Sequence, residues 1–349
     1  LKLWRDFWHL RGQALAIALV VVGGVATLVM SVTNHQALAQ TRERFYDTYR
    51  FADVFASASR APLPLLADIR AWPEVEQAQA RIVATIRLDL AGYGEPVTGQ
   101  TVSLPEPGDD HLNQVYLREG RWPESAGEAI VGEAFAETHG LHPGDRFDGI
   151  VNGRRQTLTI SGVGLSPEFI YQIRPGDLFP DFERFAILWI PRDALARAFD
   201  LDGAFNHVSL RLRSGAAEGE VIDRLDHLLM PFGGIGAHGR DRQMSHRFLD
   251  EELKQLATMT QMFSAIFLGV TAFLLSVVIG RLIGTQREQI AVLKAFGYSR
   301  WQVGGHYAAL VLLMVMAGVL PGMALGAWMG RGMANLYMTF YRFPFLDWS

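Results

Sequence analysis

Three long apolar runs interrupt a polar chain: Ala14 to Val32, Met262 to Gly280 and Tyr307 to Gly330, spanning nineteen, nineteen and twenty-four residues without a charge. A helix of about 20 residues crosses a hydrocarbon core of about 30 Å, so each run is long enough. The pattern predicts membrane spans over residues 14–32, 261–283 and 305–331. Between the first two, the periodicity shifts between two and 3.6. Ala52 to Ser57 alternates as a strand, Leu63 to Trp72 reads as a helix, Pro73 to Val75 as a turn, and Arg81 to Leu90 as a strand again. That is a β-α-β beginning, and Val97 to Leu104 adds a further strand.

From Leu117 onward the glycines punctuate short elements. Glu133 to Thr138 reads as a helix, and the runs Gly149 to Asn152 and Gln156 to Val163 flank Asn152-Gly153, a strong hairpin signal. Ala186 to Ile190 and Val208 to Leu212 are strand-like, Glu218 to Met230 is an amphipathic helix, and the two strands are expected to complete the first β-α-β unit. Met230 to Gly239 (MPFGGIGAHG) reads as a flexible break. Helical spacing continues outward from the first span through Asn34 to Tyr49 and resumes at about Ser245 into the second, as two stalks. The fold class is therefore an α-helical membrane protein carrying an inserted α+β domain at residues 33–260, with a small β-rich insert at about 117–180.

Charge orients the chain. Lys2, Arg5 and Arg11 precede the first span, and Arg281, Arg287, Lys294 and Arg300 lie between the second and third, which places both sides in the cytoplasm. Residues 33–260 hold 33 acids and 23 bases, net −10, whereas the remainder is net +6. The N-terminus is then cytoplasmic, and the membrane is crossed several times. Residues 1–13 mix Trp4, Phe7 and Trp8 with cations and read as an interfacial helix in contact with membrane lipid. A cleaved signal peptide fits poorly, because the apolar run exceeds the usual length. Cysteine is absent, so the outer domain holds itself together by packing. Nucleic-acid-binding character is missing.

Chemistry is sparse. Only Lys2, Lys254 and Lys294 occur, and none follows a glycine, so no phosphate-cradling P-loop exists. HExxH and GxSxG motifs are absent. His139 and His142 have HxxH spacing without a third ligand and read as surface histidines; Asp109-Asp110 and Glu251-Glu252 read as solvated charge. No ionisable residue sits at the centre of a span, which argues against an ion-coupled carrier. No catalytic, cofactor or metal site is expected, and the chain reads as a non-enzyme whose energy enters from elsewhere.

The entry point is Thr285 to Ser299, TQREQIAVLKAFGYS. On a helical wheel Ile290, Val292, Leu293 and Phe296 share one arc, while Arg287 and Lys294 fall together opposite. This run resembles the RE-x-A-V-L-K-A-x-G segment of the FtsX/MacB-like permeases, and Gly120-Arg121, Gly127-Glu128, Glu133, Ala136, Gly140-Leu141 and Gly144-Asp145 resemble the insert of the MacB-like periplasmic domain. The resemblance implies a permease subunit of an ABC transporter that recruits a separate cytoplasmic ATPase, which binds the ATP. In it, 285–300 is the cytoplasmic coupling helix, with Arg287, Glu288, Ile290, Val292, Leu293, Lys294, Phe296 and Gly297 as ATPase-coupling residues. It also implies a homodimer partner or a second permease half, and motion passed through the stalks to export or extract a lipophilic or lipoprotein-type substrate. An FtsX-like transmitter regulating a cell-wall hydrolase is the alternative; the large outer domain resembles the exporters more.

Along the third apolar run, Gly318, Gly322, Gly326 and Gly330 recur every four residues, a helix-packing face that admits close approach of another helix. Pro321 within it is expected to kink the helix. Residues 332–349 are aromatic, with Tyr337, Phe340, Tyr341, Phe343, Phe345 and Trp348, and read as an extracytoplasmic loop leading to a fourth span beyond Ser349. The glycine face is then expected to meet that missing helix or a dimer partner.

Overall fold

A computed structural model describes residues 11–347, apart from 91, 107–108, 175 and 178. The expected interfacial helix, with Trp4, Phe7 and Trp8, falls almost wholly outside the described residues. In chain order the elements begin α1 (Arg11–Thr48), β1 (Val54–Pro62), α2 (Leu65–Arg70), β2 (Val75–Arg81), β3 (Val83–Asp89) and β4 (Val97–Leu104). They continue β5 (Tyr116–Gly120), β6 (Glu128–Gly132), α3 (Glu133–His139), β7 (Arg146–Val151), β8 (Arg154–Leu165), β9 (Phe185–Pro191) and α4 (Arg192–Phe199). The last are β10 (Ala204–Leu212), α5 (Glu218–Leu229), β11 (Ala237–Gly239), α6 (Met244–Thr285), α7 (Arg287–Ala295) and α8 (Arg300–Phe340). Two compact units result: a helical one from the chain up to Ala39 with Glu252–Tyr337, and a mixed one from Gln40–Glu251 with Met338–Leu346.

In the helical unit α1, α6 and α8 are each long and apolar enough to cross a membrane. Ala14, Ile17 and Val21 of α1 pack on Val303, Tyr307, Leu310 and Met314 of α8. The opposite faces stay open, with Leu268 and Phe273 on α6 and Leu320 and Trp328 on α8 exposed. Such surface suits hydrocarbon as solvent, since every backbone polar group of a helix is satisfied internally. Helix α8 runs on to Phe340, past the residue 331 at which the third span was expected to give way to a loop.

The mixed unit contains two sheets. The first has order β11-β1-β10-β2 with every pairing antiparallel, so β1 and β2 run parallel on either side of β10. Helices α2 and α5 bury Ile69, Val221 and Leu225 against Val54, Val75, Val208 and Leu210 of this sheet. The second has order β5-β8-β6-β9-β4-β3-β7, and β8 also pairs with β7. Strands β8, β6, β9, β4, β3 and β7 thereby close into a barrel, with β5 outside. Closure is possible because β8 is twelve residues long: Arg154 to Thr159 pairs with β7, and Thr159 to Gly164 with β6. Ile86, Leu88, Val131, Phe147, Ile160 and Leu188 belong to its core. At the β7–β8 turn Asn152 and Gly153 take φ of 46° and 77°, the two positive values that a tight hairpin of matching twist requires.

Several expectations are corrected. Val75, expected to end a turn, instead opens the strand Val75–Arg81, and only Ile82 separates it from β3 in the other sheet. Strand β9 joins the barrel, parallel to β4, and does not complete the first β-α-β unit. The barrel takes in chain from Val83 to Pro191, so the segment 117–180 covers only β5 to β8. The break at 230–239 contains a 3-10 turn at Met230–Phe232 and the edge strand β11. Finally, the aromatic tail is packed within the mixed unit. Phe343 is 1% exposed and meets Phe45 edge-on at 6.2 Å, and Tyr341 stacks on Tyr171 at 5.2 Å. Arg118 donates to the carbonyls of Pro344 at 3.0 Å and Phe343 at 3.3 Å, and the Arg342 amide donates to Ile170 O at 2.8 Å. Phe340 remains exposed, and Trp348 lies outside the described residues.

Candidate functional site

Helix α7 is set apart from its neighbours by two local signals. At its end Gly297 takes φ of 89°; its amide donates to Lys294 O at 3.0 Å and that of Tyr298 to Leu293 O at 3.2 Å, a Schellman closure. Two residues on, Ser299 and Gln302 form a capping box: Gln302 N donates to Ser299 Oγ at 3.2 Å and Ser299 N to Gln302 Oε1 at 2.9 Å. The chain therefore stops one helix and starts α8 within five residues.

The four apolar residues of α7 and its cap do not act as one face. Ile290 and Leu293 pack against the cluster formed by Ala14, Ile17, Val303 and Tyr307, and Tyr307 Oη donates to Gln286 Oε1 at 2.7 Å. Val292 and Phe296 point away, 54% and 79% exposed. The apolar arc of about 160° on the wheel is thus divided: one edge fixes the helix to the bundle and the other is presented outward. Arg287, Glu288 and Lys294 belong to the same short helix, Glu288 in its first turn and Lys294 in its last, each favourably placed for the helix dipole.

The glycine face of α8 is filled by α1 of the same chain, which corrects the partner expected for it. A Cβ on Gly318 would lie 2.7 Å from Ala18 O and from Val21 Cβ; on Gly322, 2.9 Å from Val25 Cβ; on Gly326, 2.6 Å from Ala26 O. Gly330 is buried on the same face. Across α1 the second small position is Gly24, where a Cβ would meet Phe267 of α6 at 3.0 Å.

Sequence reasoning missed a polar joint in the mixed unit. Arg81, the last residue of β2, donates to both carboxylate oxygens of Glu168, at 2.6 and 2.9 Å, and both residues are buried. Its Nη2 also lies 3.2 Å from His207 Nδ1 on β10, so this nitrogen accepts and the proton sits on Nε2. Isolated charges 87 residues apart leave no local pattern, which is why the sequence does not announce the pair. His139, by contrast, places Nε2 2.8 Å from Glu183 O at the surface, and Glu133 pairs with Arg118 at 2.7 Å.

Burial first, then Arg81 and His238, holds His207 well below the usual imidazole value. The folded state keeps it neutral, whereas the unfolded chain takes up a proton as pH falls below about 6.5. Its contribution is complete above that value and is lost as pH descends toward the folded pKa. Thermal unfolding of the mixed unit, followed by tryptophan fluorescence, should drop in midpoint from about pH 8 to about pH 5. His207→Gln should reduce that dependence, leaving the share of His246, which burial first holds down to about 4; an unchanged slope would exclude His207 as a source.

Among known families, a model of the MacB-like periplasmic core domain matches residues 14–228, and a model of the FtsX-like permease C-terminal matches residues 261–347. No curated protein is a significant match. Solved structures similar to the chain include the extracellular domain of the noncanonic ABC-type transporter YknZ from Gram-positive bacteria, at 13% identity and TM-score 0.36, covering 54% of this chain and 98% of that one. The periplasmic region of MacB from Actinobacillus actinomycetemcomitans is similar at 8% identity and TM-score 0.35, covering 58% and 92%. A domain of a putative permease protein from Porphyromonas gingivalis is similar at 16% identity and TM-score 0.34, covering 54% and 90%.

Proposed function

The chain belongs to the FtsX-like permease family with a MacB-like periplasmic core domain, and on that footing we propose that α7 docks on a separate cytoplasmic ATPase whose cycle it passes outward. The family implies an ATPase partner and a dimeric assembly. In this reading residues 285–300 face the cytoplasm with the N-terminus, the mixed unit lies outside, and the moved substrate is lipophilic or of lipoprotein type. The observation that carries the reading is the divided face of α7. A helix that served only to set topology would have no reason to leave a phenylalanine 79% exposed at its end while Ile290 and Leu293 anchor it. Exposed aromatics are what protein interfaces use as anchors.

Phe296→Ala combined with Lys294→Glu should uncouple the complex. Burying a phenylalanine is worth roughly 2 to 3 kcal/mol, enough to lower occupancy more than tenfold. Co-purification with the ATPase and stimulation of ATP hydrolysis are the measurements. Ile290→Ala should instead lower the stability of the helical unit, because that side chain packs inward. If the double variant still binds and stimulates the ATPase as wild type does, docking through α7 is wrong.

A further inference from the structure

The mixed unit holds a cleft of about 580 Å³ at the joint between its sheets. Strands β4 and β9 run parallel and end there, at Leu104 and Pro191, and the last residues of β2 form another side. Its lining mixes apolar and polar side chains: Trp189, buried, and Trp122, half exposed, with Leu104 and Pro105, beside Gln79, His111 and Asp193. A volume in the range of small-ligand sites, with two tryptophans set among polar side chains, has the build of a binding pocket.

One polar group is unusual. Arg192 is only 7% exposed, and its two terminal nitrogens donate to neutral carbonyls, Ala80 O at 3.0 Å and Ala204 O at 2.9 Å. Among the described residues, the one carboxylate within ion-pair distance of it is Glu106, whose Oε1 stands 3.6 Å from Nε, beyond good hydrogen-bond distance, on a half-exposed side chain. Arg81, also at the cleft, is by contrast held by Glu168 through both terminal nitrogens. A buried guanidinium fixed on one edge and loosely matched on the other is prepared for a better anion.

We propose that this cleft binds a small amphiphile with a single anionic group, its apolar body between Trp122 and Trp189 and its carboxylate on Arg192 Nε in place of Glu106. Enclosure selects size, the tryptophans select an aromatic or aliphatic body, and Arg192 selects charge. The proposal does not depend on docking through α7, so either can fail without the other.

The full chain in phosphatidylcholine nanodiscs would be titrated with 2-naphthoate and with its uncharged analogue 2-naphthalenemethanol, followed by saturation-transfer NMR and corrected against empty nanodiscs. The expected result is that 2-naphthoate binds about tenfold tighter than the neutral analogue, the worth of one charge-assisted hydrogen bond. Arg192→Gln should bring the two probes level, and Trp122→Ala should weaken both. Since Arg192 also holds backbone carbonyls, Glu106→Gln gives a second test on an exposed residue: it frees Arg192 and should tighten 2-naphthoate several-fold, leaving the alcohol unchanged. Equal binding of the two probes, no binding of either, or naphthoate affinity unaffected by Glu106→Gln would overturn the proposal.

Discussion

Glu168→Ala is expected to destabilise the mixed unit by about 3–5 kcal/mol, the cost of stranding a buried charge. Arg81 would remain with a side chain 3% exposed and no carboxylate on its two terminal nitrogens. Glu168 lies in the 3-10 turn Pro167–Phe169 that follows β8, whereas Arg81 closes β2, so the pair ties the barrel's long strand to the four-stranded sheet. Gln243 adds to the joint by donating its Nε2 to Glu168 O at 2.7 Å. The loss should be local first: hydrogen exchange at β2 and at residues 166–170 should accelerate before that of the barrel core. Removing both charges together, Arg81→Met with Glu168→Leu, should recover much of the loss, since an apolar pair of similar volume incurs no desolvation. If Glu168→Ala costs under about 1 kcal/mol, the pair behaves as a surface bridge and the joint is held by something else.

What the sequence disclosed depends on how local each signal is. The Asn152-Gly153 hairpin, the helix at Glu133 and the strand from Val97 to Leu104 were legible because each is set by its own residues. Strand β2 was not, because Val75 to Arg81 alternates small alanines with Glu76, Gln77 and Gln79, a face too weakly apolar to register against Pro73. The assignment of β9 failed for a different reason. Its seven residues, Phe185–Pro191, read as a buried strand in any sheet, and only its pairing with β4, more than eighty residues earlier, decides which. Barrel closure rests likewise on the length of β8 and on two pairings that no local pattern encodes.

The candidate site divides along the same line. The wheel of α7 located the cationic ridge and the apolar arc, but which half of the arc faces inward is decided by Ala14, Ile17 and Tyr307, from helices elsewhere in the chain. For the tail, composition pointed to a loop leading on to a further span, and the structure supplies Phe45, Tyr171 and Arg118 as its partners. An aromatic segment is an exposed patch only until its complement is known. The four-residue glycine repeat was visible for the same reason that its partner was not: spacing identifies a groove, and the ridge that fills it lies some three hundred residues away, from Ala18 to Val29 of α1.

That groove yields a graded expectation. Gly326→Ala and Gly318→Ala should each separate α1 from α8, since the new methyl would meet backbone carbonyl oxygens, Ala26 O at 2.6 Å and Ala18 O at 2.7 Å, and a backbone cannot rotate aside. Gly322→Ala should be milder, because its nearest neighbour is the Val25 side chain at 2.9 Å with Val22 O farther off at 3.1 Å. Overpacking of this kind costs about 1–3 kcal/mol per site, and Gly326→Leu with Gly318→Leu should exceed any single change. Gly332→Ala is the matched control, as nothing lies within 4 Å of its added methyl. The chain contains no cysteine, so single cysteines placed on α1 and α8 report their approach by crosslinking without background. Crosslinking should fall in the order wild type with Gly332→Ala, then Gly322→Ala, then Gly318→Ala and Gly326→Ala, and resistance to denaturing detergent should fall with it. If Gly326→Ala crosslinks as well as Gly332→Ala, the two helices are not held by close backbone approach, and the repeat has another purpose.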